Sequence, residues 1–195
     1  MPRVSRKQAA DNHNAVIDAA ARLFRARGIN GVSVPELMAE AGLTHGAFYG
    51  HFKSKEDLAT AACAYAIEQS AALYDGLIER HGGDQKAALA DFVKRYTSKT
   101  HRDQPGLGCP IAALADDAAH EEFKGSVRKT FTAGLERWTE RLRGLLGNRG
   151  KPAARDEALA SVALLVGALV LSRATKGHAI SEEVLQVARN TLLQA

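Results

Sequence analysis

The feature that most constrains the fold is segment 33–58, in which two short helical patterns meet at Gly42. Ser33 precedes the first pattern and Glu36 follows it at the third position, which is the signature of a capping box at a helix N-terminus. Gly42 is suited to the positive φ that ends many helices. The segment therefore predicts a helix that starts near Val34, then a turn, then a second helix.

The second pattern begins after Thr44, which can cap a helix. Its apolar side contains Ala47, Phe48 and Phe52, so these side chains are predicted to point inward while the polar side stays available for a partner. Two short helices joined by a tight turn make a helix-turn-helix, whose second helix enters the major groove of DNA.

A third helix start follows directly. Ser54 precedes Asp57 at the third position, so Lys53 and Lys55 are predicted to lie beside a helix N-terminus. Cationic side chains and unpaired N–H groups at such a terminus suit a phosphate. This cluster is therefore expected to contact the DNA backbone.

These residues resemble the TetR family of transcriptional regulators, and the resemblance covers roughly residues 12–60. It implies an all-α protein with an N-terminal three-helix DNA-binding domain, residues 1–56, and a helical effector-binding and dimerisation domain, residues 57–195. The matching runs are Ala41-Gly42-Leu43-Thr44, Phe48-Tyr49, His51-Phe52 and Lys53-Ser54-Lys55-Glu56-Asp57-Leu58.

The resemblance also implies which positions face DNA. His45 and Gly46 fall where the family approaches base edges, and the Ala47 methyl group suits a thymine contact. Tyr49 and His51 match positions used toward the backbone, although an intradomain hydrogen bond is the alternative for His51. The predicted DNA-binding residues are Ser33, Thr44, His45, Gly46, Ala47, Tyr49, His51 and Lys55.

The N-terminus is basic, because Arg3, Arg6 and Lys7 all precede the first acidic residue, Asp11. Such an arm can follow the phosphate backbone, and an ordinary solubilising terminus is the alternative. No apolar signal segment follows it, and the apolar run 162–171 is too short to cross a bilayer, so a cytoplasmic protein without a membrane partner is expected.

The rest of the chain repeats apolar residues at helical spacing and nowhere alternates with period two, so it is predicted to be helical throughout. Predicted helices include residues 12–27, one long helix from Leu58 to the glycines at 82–83, and a short helix over 110–119 after a loop at 101–110. A long helix over 123–145 is followed by two more, about 153–176 and 182–194.

The helix over 153–176 is apolar on nearly every side, which a peripheral helix should not be. Leu164, Leu165, Ala168 and Leu171 would otherwise face water, so the last two helices are predicted to form a two-fold homodimer bundle. Burial of these side chains within the monomer is the alternative.

Cys109 follows a glycine-rich loop and precedes Pro110, where a helix is expected to begin. Helix N-terminal N–H groups lower the pKa of a thiol, so Cys109 is a candidate sensor of oxidants or electrophiles. Packing in a pocket wall and inert burial are the alternatives. Cys63, inside an apolar helix, is predicted to be a core residue.

Aromatic and branched side chains from four predicted helices can surround an effector pocket, although plain core packing is the better interpretation of each residue taken singly. The effector itself is an unidentified small molecule. The predicted ligand-binding residues are Tyr65, Phe92, Tyr96, Cys109, Ile111, Leu114, Phe131 and Trp138.

Catalytic and metal chemistry have little support in the sequence. The two cysteines have no ligand spacing, and the acidic residues of 116–122 suit a solvated helix face, so no metal or cofactor is expected. No nucleophile–base pair or phosphate loop is recognisable, so the chain is not expected to be an enzyme. The expected function is a ligand-responsive repressor that binds palindromic operator DNA; a helical interaction module or an enzyme without DNA binding is the alternative.

Overall fold

The computed structural model describes residues 5–123, 125–147 and 153–194. Within these residues the chain is helical and contains no strand, which confirms the all-α prediction. The α-helices are α1 (Arg6–Arg27), α2 (Val34–Glu40), α3 (Lys55–Ala72), α4 (Leu77–Arg80), α5 (Gln85–Tyr96), α6 (Lys99–Asp103), α7 (Pro110–Ala119), α8 (Ser126–Leu146), α9 (Arg155–Ala174) and α10 (Ala179–Gln194). Short 3-10 segments cover His45–Gly50, Pro105–Leu107 and Glu121–Phe123.

The first hydrophobic core lies between α1, α2, the segment His45–Gly50 and α3. Phe24, Leu37, Phe48 and Leu58 are fully buried there, and each large side chain contributes about 1.5–3 kcal/mol by its removal from water. The same core continues to Leu114 of α7 and to residues of α8. The N-terminal helices therefore rest directly on helices from the rest of the chain.

The second core joins α5, α7, α8 and α9. Phe92 stacks at an angle on Tyr96, whose ring lies parallel to that of Trp138 with the centroids 5.6 Å apart. Leu142 and Leu165 close the core from α8 and α9. Because Phe131 packs against both cores, α8 connects the two.

Two expectations about the middle of the chain were wrong. The predicted long helix ends at Ala72, and the chain turns at Gly76, which has φ +70°, before the four-residue α4. The predicted loop 101–110 contains the end of α6, capped by Ser98, and the 3-10 turn Pro105–Leu107.

The predicted basic arm is only partly described. Residues 1–4, including Arg3, lie outside the described residues. Arg6 and Lys7 belong to the first turn of α1 rather than to an extended arm, because the Ser5 hydroxyl accepts a hydrogen bond from the Gln8 N–H group and caps the helix there.

The apolar helix α9 divides its surface between the interior and water. Leu165 and Ala168 are buried within the monomer, against the expectation that they would face a partner, whereas Leu171 is 55% exposed. By length and composition α9 is also apolar enough to span a membrane. That criterion carries little weight, because one side of the helix packs in the second core.

Candidate functional site

The capping box at α2 forms as the sequence predicts. The Ser33 hydroxyl donates to the Glu36 carboxylate over 2.7 Å, and the Ser33 N–H group donates to the same carboxylate over 2.8 Å. Hydrogen bonds from the Ser33 backbone and hydroxyl, together with Arg27, lower the pKa of Glu36 to about 2. Because the Ser33 hydroxyl donates its proton to Glu36, it stabilises the start of α2 rather than donating to a phosphate.

The recognition segment, His45–Gly50, follows a turn at Gly42, which has φ +70° as predicted. It is a 3-10 helix, and the Thr44 side chain makes no capping hydrogen bond, so the capping role expected for Thr44 was wrong. Phe48 anchors the segment in the first core, while Tyr49 is 73% exposed. Burial of one aromatic residue thus directs its neighbour outward.

The outer face of the recognition segment is open. His45, Gly46 and Gly50 are exposed, and a Cβ atom added at either glycine would meet no other atom within 4 Å. The His45 ring lies edge-on to that of Tyr49, with centroids 6.4 Å apart. Ala47 is half-buried against the first core, so only part of its methyl group is available to a partner.

His51 lies at the edge of the recognition segment and is half-buried. Its ring is 6.0 Å from that of His13 on α1, and His13 stacks on Phe52 at 4.6 Å. In the described part of the chain, the His51 imidazole has no protein hydrogen-bond partner. The intradomain hydrogen bond considered for His51 is therefore not formed with any of the described residues.

The start of α3 also matches its prediction. The Ser54 hydroxyl accepts from the Asp57 N–H group over 3.1 Å, and the Asp57 carboxylate accepts from the Lys53 N–H group over 3.1 Å. Lys53 is exposed and Lys55 is half-exposed. Two cations therefore flank a helix N-terminus on the same edge of the protein as the recognition segment.

The eight predicted ligand-binding residues do not form one pocket. Phe92, Tyr96, Ile111 and Trp138 join Cys109 in the second core, and Phe131 lies between the cores. Leu114 belongs to the first core. Tyr65 is 37% exposed, and its hydroxyl donates to Asp18 of α1 over 3.3 Å.

A cavity of about 260 Å³ lies beside Cys109, between α3, α5 and the loop that precedes α7. Cys109 is the one predicted ligand-binding residue in its wall. Sequence analysis missed the others, because they are polar or lie where a long helix or a loop was expected. The remaining lining residues are Ser70, Leu73, Tyr74, Arg95, Ser98, Thr100, His101, Gln104, Leu107 and Gly108.

The environment of Cys109 contradicts its expected acidity. Burial raises the pKa of the Cys109 thiol above its ordinary value, although the Tyr96 hydroxyl, two backbone N–H groups of α7 and Arg173 act in the opposite direction. The Tyr96 hydroxyl lies beside this sulfur and is itself buried, with no partner of good hydrogen-bonding geometry among the described residues. Burial therefore disfavours the thiolate form of Cys109.

His101 holds the backbone at Cys109. Its Nε2 accepts from the Cys109 N–H group over 2.8 Å, and its Nδ1 lies 2.7 Å from the Tyr96 carbonyl oxygen. Nδ1 must donate in that pair, which fixes a neutral tautomer, and burial also lowers the pKa of His101. His101 therefore positions the first turn of α7 without adding a positive charge that would stabilise a thiolate.

Both ends of α7 are fastened to the DNA-binding helices. At its start, Arg25 of α1 donates to the Gly108 carbonyl oxygen over 3.3 Å. Near its end, the buried Asp117 carboxylate accepts from the Ile29 N–H group over 2.9 Å, and its burial raises the pKa of that carboxyl. Hydrogen bonds therefore link α7 and the residue before it to α1 and to the connection between α1 and α2.

No group of three or more potential metal ligands occurs in residues 5–123, 125–147 and 153–194. The acidic residues predicted to form a solvated face are divided in their roles. Asp116 is exposed and Asp117 is buried in its bond to Ile29.

Comparison with known proteins agrees with this architecture. Residues 16–62 match the N-terminal model of the bacterial regulatory proteins of the tetR family, and residues 86–189 match the C-terminal domain model of LmrA/YxaF-like transcriptional regulators. The chain is similar over 58 residues (30% of its length) to the transcriptional regulator AcrR of Shigella flexneri, with 40% identity. It is similar over 56 residues (29%) to the transcriptional repressor BepR of Brucella suis, with 38% identity.

The matched part spans only 27% of the length of each of these two relatives. A solved structure, the reduced form of NemR from E. coli, shares the fold over nearly its whole length. Its TM-score is 0.78 at 19% identity, over 94% of this chain and 96% of that one. Because the C-terminal model alone spans more than half of the sequence, the chain belongs to the TetR family of transcriptional regulators, which are DNA-binding proteins and not enzymes.

Proposed function

We propose that this protein is a cytoplasmic repressor that binds a palindromic operator as a homodimer and leaves it when an effector binds, or when Cys109 is modified, in the domain formed by residues 57–195. The observation that carries the proposal is the recognition segment, in which Phe48 is buried while His45, Tyr49 and the open positions at Gly46 and Gly50 face outward. The relative BepR, similar over 56 residues, is described as a transcriptional repressor.

Residues 1–56 supply the DNA contacts. His45 and the backbone at Gly46 approach base edges, and Ala47 contributes its methyl group. Tyr49, His51 and Lys55 donate to phosphate oxygens. Because a single recognition segment reads only a few base pairs, specific binding requires two of them on one face of the duplex, one helical turn apart.

The dimer surface comprises the exposed apolar side chains of α9 and α10. Leu171, Ile180 and Val187 are each more than half exposed. Two copies that pack these helices together around a two-fold axis would remove this surface from water and set the separation of the two recognition segments.

Release is triggered from the cavity beside Cys109. An effector there, or an adduct on the sulfur, displaces the loop before α7, whose Gly108 carbonyl holds Arg25 of α1. The effector must bind the displaced arrangement more tightly than the DNA-bound one, because equal affinity for both shifts no population. Modification requires an opening that exposes the thiol first, because Cys109 is buried.

DNA binding is tested with the promoter fragment upstream of the protein's own gene, by fluorescence anisotropy at several salt concentrations. Replacement of Tyr49 and Lys55 by Phe and Ala together is expected to weaken binding at least tenfold and to reduce its salt dependence. Arg137→Gln, which removes one exposed cation of α8, is the matched control. Salt-independent binding, or an unchanged affinity of the double variant, would refute the proposed interface.

The dimer and the thiol have their own tests. Leu171→Glu with Val187→Glu is expected to yield monomers in sedimentation experiments and to abolish tight operator binding.

For Cys109, wild type and Cys109→Ser are exposed to p-benzoquinone and their operator affinities compared. Equal loss of affinity in both proteins would remove Cys109 from the release mechanism.

A further inference from the structure

A cavity of about 450 Å³, larger than the one at Cys109, lies where α1 meets the end of α6, α7 and α9. We call it the basic cleft. The two cavities have no lining residue in common. The basic cleft is lined by one carboxylate, that of Asp103, and by four cationic side chains, Arg25, Arg102, Arg173 and Lys176.

Arg25 and Arg173 form no salt bridge with a carboxylate among the described residues, although the charge of Asp18 acts on Arg25 from a greater distance. Arg25 is 6% exposed and donates to the carbonyl oxygens of Ala21, over 2.9 Å, and Gly108, over 3.3 Å. Arg173 donates to the carbonyl oxygens of His101 and Arg102. A guanidinium has five N–H donors, so several donors of each remain unused, and in the described part of the chain neither side chain makes a salt bridge.

A buried cation is costly unless an anion or a full set of acceptors accompanies it. Burial lowers the pKa of both Arg25 and Arg173, because the charged form of each side chain is less favourable inside the protein than in water. The single carboxylate does not offset it, because Asp103 is already shared by Arg102, over 2.8 Å, and Lys176, over 3.1 Å. Among the residues that line the basic cleft, four cations therefore face one carboxylate, and the nearby charge of Asp18 only partly opposes the lowering of the Arg25 pKa.

The remaining wall of the basic cleft is apolar. Ala112 and Ala113 of α7, Val170 of α9 and Pro105 offer hydrocarbon surface beside the cations. Cavities of this size that combine an apolar wall with a few placed polar groups are typical sites for small organic molecules. The volume exceeds what a bare inorganic anion needs.

We propose that the basic cleft binds a small organic acid, with its carboxylate at Arg25 and Arg173 and its hydrocarbon body against Ala112, Ala113 and Val170. This site is additional to the cavity at Cys109. Because Arg25 belongs to α1 and Arg173 to α9, the bound acid connects a DNA-binding helix to a helix of the proposed dimer surface. Binding of the acid at this separate site thereby changes operator affinity without any modification of Cys109.

The test uses the full chain without DNA, so its outcome does not depend on operator binding. Hexanoate is titrated into the protein by calorimetry in a low-salt buffer without phosphate, and hexanamide, the neutral analogue, is titrated in parallel. Saturable binding of hexanoate at one site per chain, at least tenfold tighter than that of hexanamide, is expected. Equal binding of the two, or equally tight binding of inorganic phosphate, would overturn the proposal.

Substitutions of lining residues test whether the acid binds in the basic cleft. Arg173→Gln is expected to weaken hexanoate binding at least tenfold, and Asp103→Asn to strengthen it several-fold, because it removes the competing carboxylate. Arg137→Gln, with the same change of charge on a distant exposed pair, is expected to bind as wild type. If Arg173→Gln fails to fold, Lys176→Gln replaces it and is expected to weaken binding about threefold. Unchanged affinity in both Asp103→Asn and the arginine or lysine variant would refute the site.

Discussion

In the helix-turn-helix, the capping hydrogen bonds join residues that are close in sequence, whereas the hydrogen bonds that link α7 and its preceding loop to the N-terminal helices join residues that are distant. Ser33 bonds to Glu36, and Ser54 bonds to Asp57. By contrast, Arg25 reaches Gly108, and Asp117 reaches Ile29. Bonds of the first kind keep the DNA-reading surface in one shape wherever the unit moves, while bonds of the second kind break or re-form when helices shift. Response to a ligand is therefore expected at the second region and recognition at the first.

The largest expected effect tests whether the two cores unfold together. Leu58→Ala removes a fully buried side chain from the first core and is expected to reduce the free energy of unfolding by about 2–5 kcal/mol. Because the first core continues into α7 and α8, urea unfolding should stay a single transition. Circular dichroism is compared with the fluorescence of Trp138, the one tryptophan, which lies in the second core.

Leu165→Ala, the matched change in the second core, is expected to have an effect of similar size on both signals. Two separate unfolding midpoints in either variant would mean that the two cores unfold independently. The two regions compared above would then not belong to one cooperative unit.

The next largest effect concerns the long-range bond at Asp117. Asp117→Ala leaves the Ile29 N–H group without an acceptor, which is expected to cost about 1–3 kcal/mol of unfolding free energy. Asp117→Asn retains an oxygen acceptor and should lose less. If both variants were as stable as wild type, α7 would not be fastened to the α1–α2 connection by this contact.

A local bond gives a smaller effect and has an internal control. Ser54→Ala removes the cap of α3 and is expected to lower the free energy of unfolding by about 1 kcal/mol. Thr44 has the same type of side chain but makes no capping bond, so Thr44→Ala should leave thermal stability unchanged. Equal losses in the two variants would contradict the difference between these caps.

The smallest expected effect is a dependence on pH at the capping box of α2. The pKa of Glu36 in the folded state, about 2, is below its ordinary value of 4.5. A lowered carboxyl pKa stabilises the folded state above about pH 4.5, and this contribution is lost as the pH falls toward 2. Glu36→Gln should therefore show a shallower decrease of melting temperature between pH 7 and pH 3.

Glu183→Gln, which removes an exposed carboxylate of α10, serves as the control for that titration. Its melting temperature should decrease between pH 7 and pH 3 as steeply as that of wild type.

The same division explains what could be predicted from the sequence. The caps at Ser33 and Ser54, the turn at Gly42 and the anchor at Phe48 depend on neighbours within a few positions, and all were predicted correctly. The cap expected at Thr44 was wrong. Two glycines in the six residues that follow Thr44 weaken an α-helix, and a tighter 3-10 segment forms instead.

Around Cys109 the sequence predicted the start of α7 but not which residues bury the Cys109 thiol. The acidity of a thiol depends on burial as much as on helix N–H groups, and here the covering residues come from helices distant in sequence. Arg25 and Asp117 were missed for the same reason, since charged residues on helices are usually solvated. Only tertiary packing places both of them inside.

The empty space over Gly46 and Gly50 means that these positions are not needed to hold the protein together. A larger side chain at either one would project outward without displacing a neighbour. The outer surface of the recognition segment can therefore change through single substitutions that leave the packing of the folded protein intact.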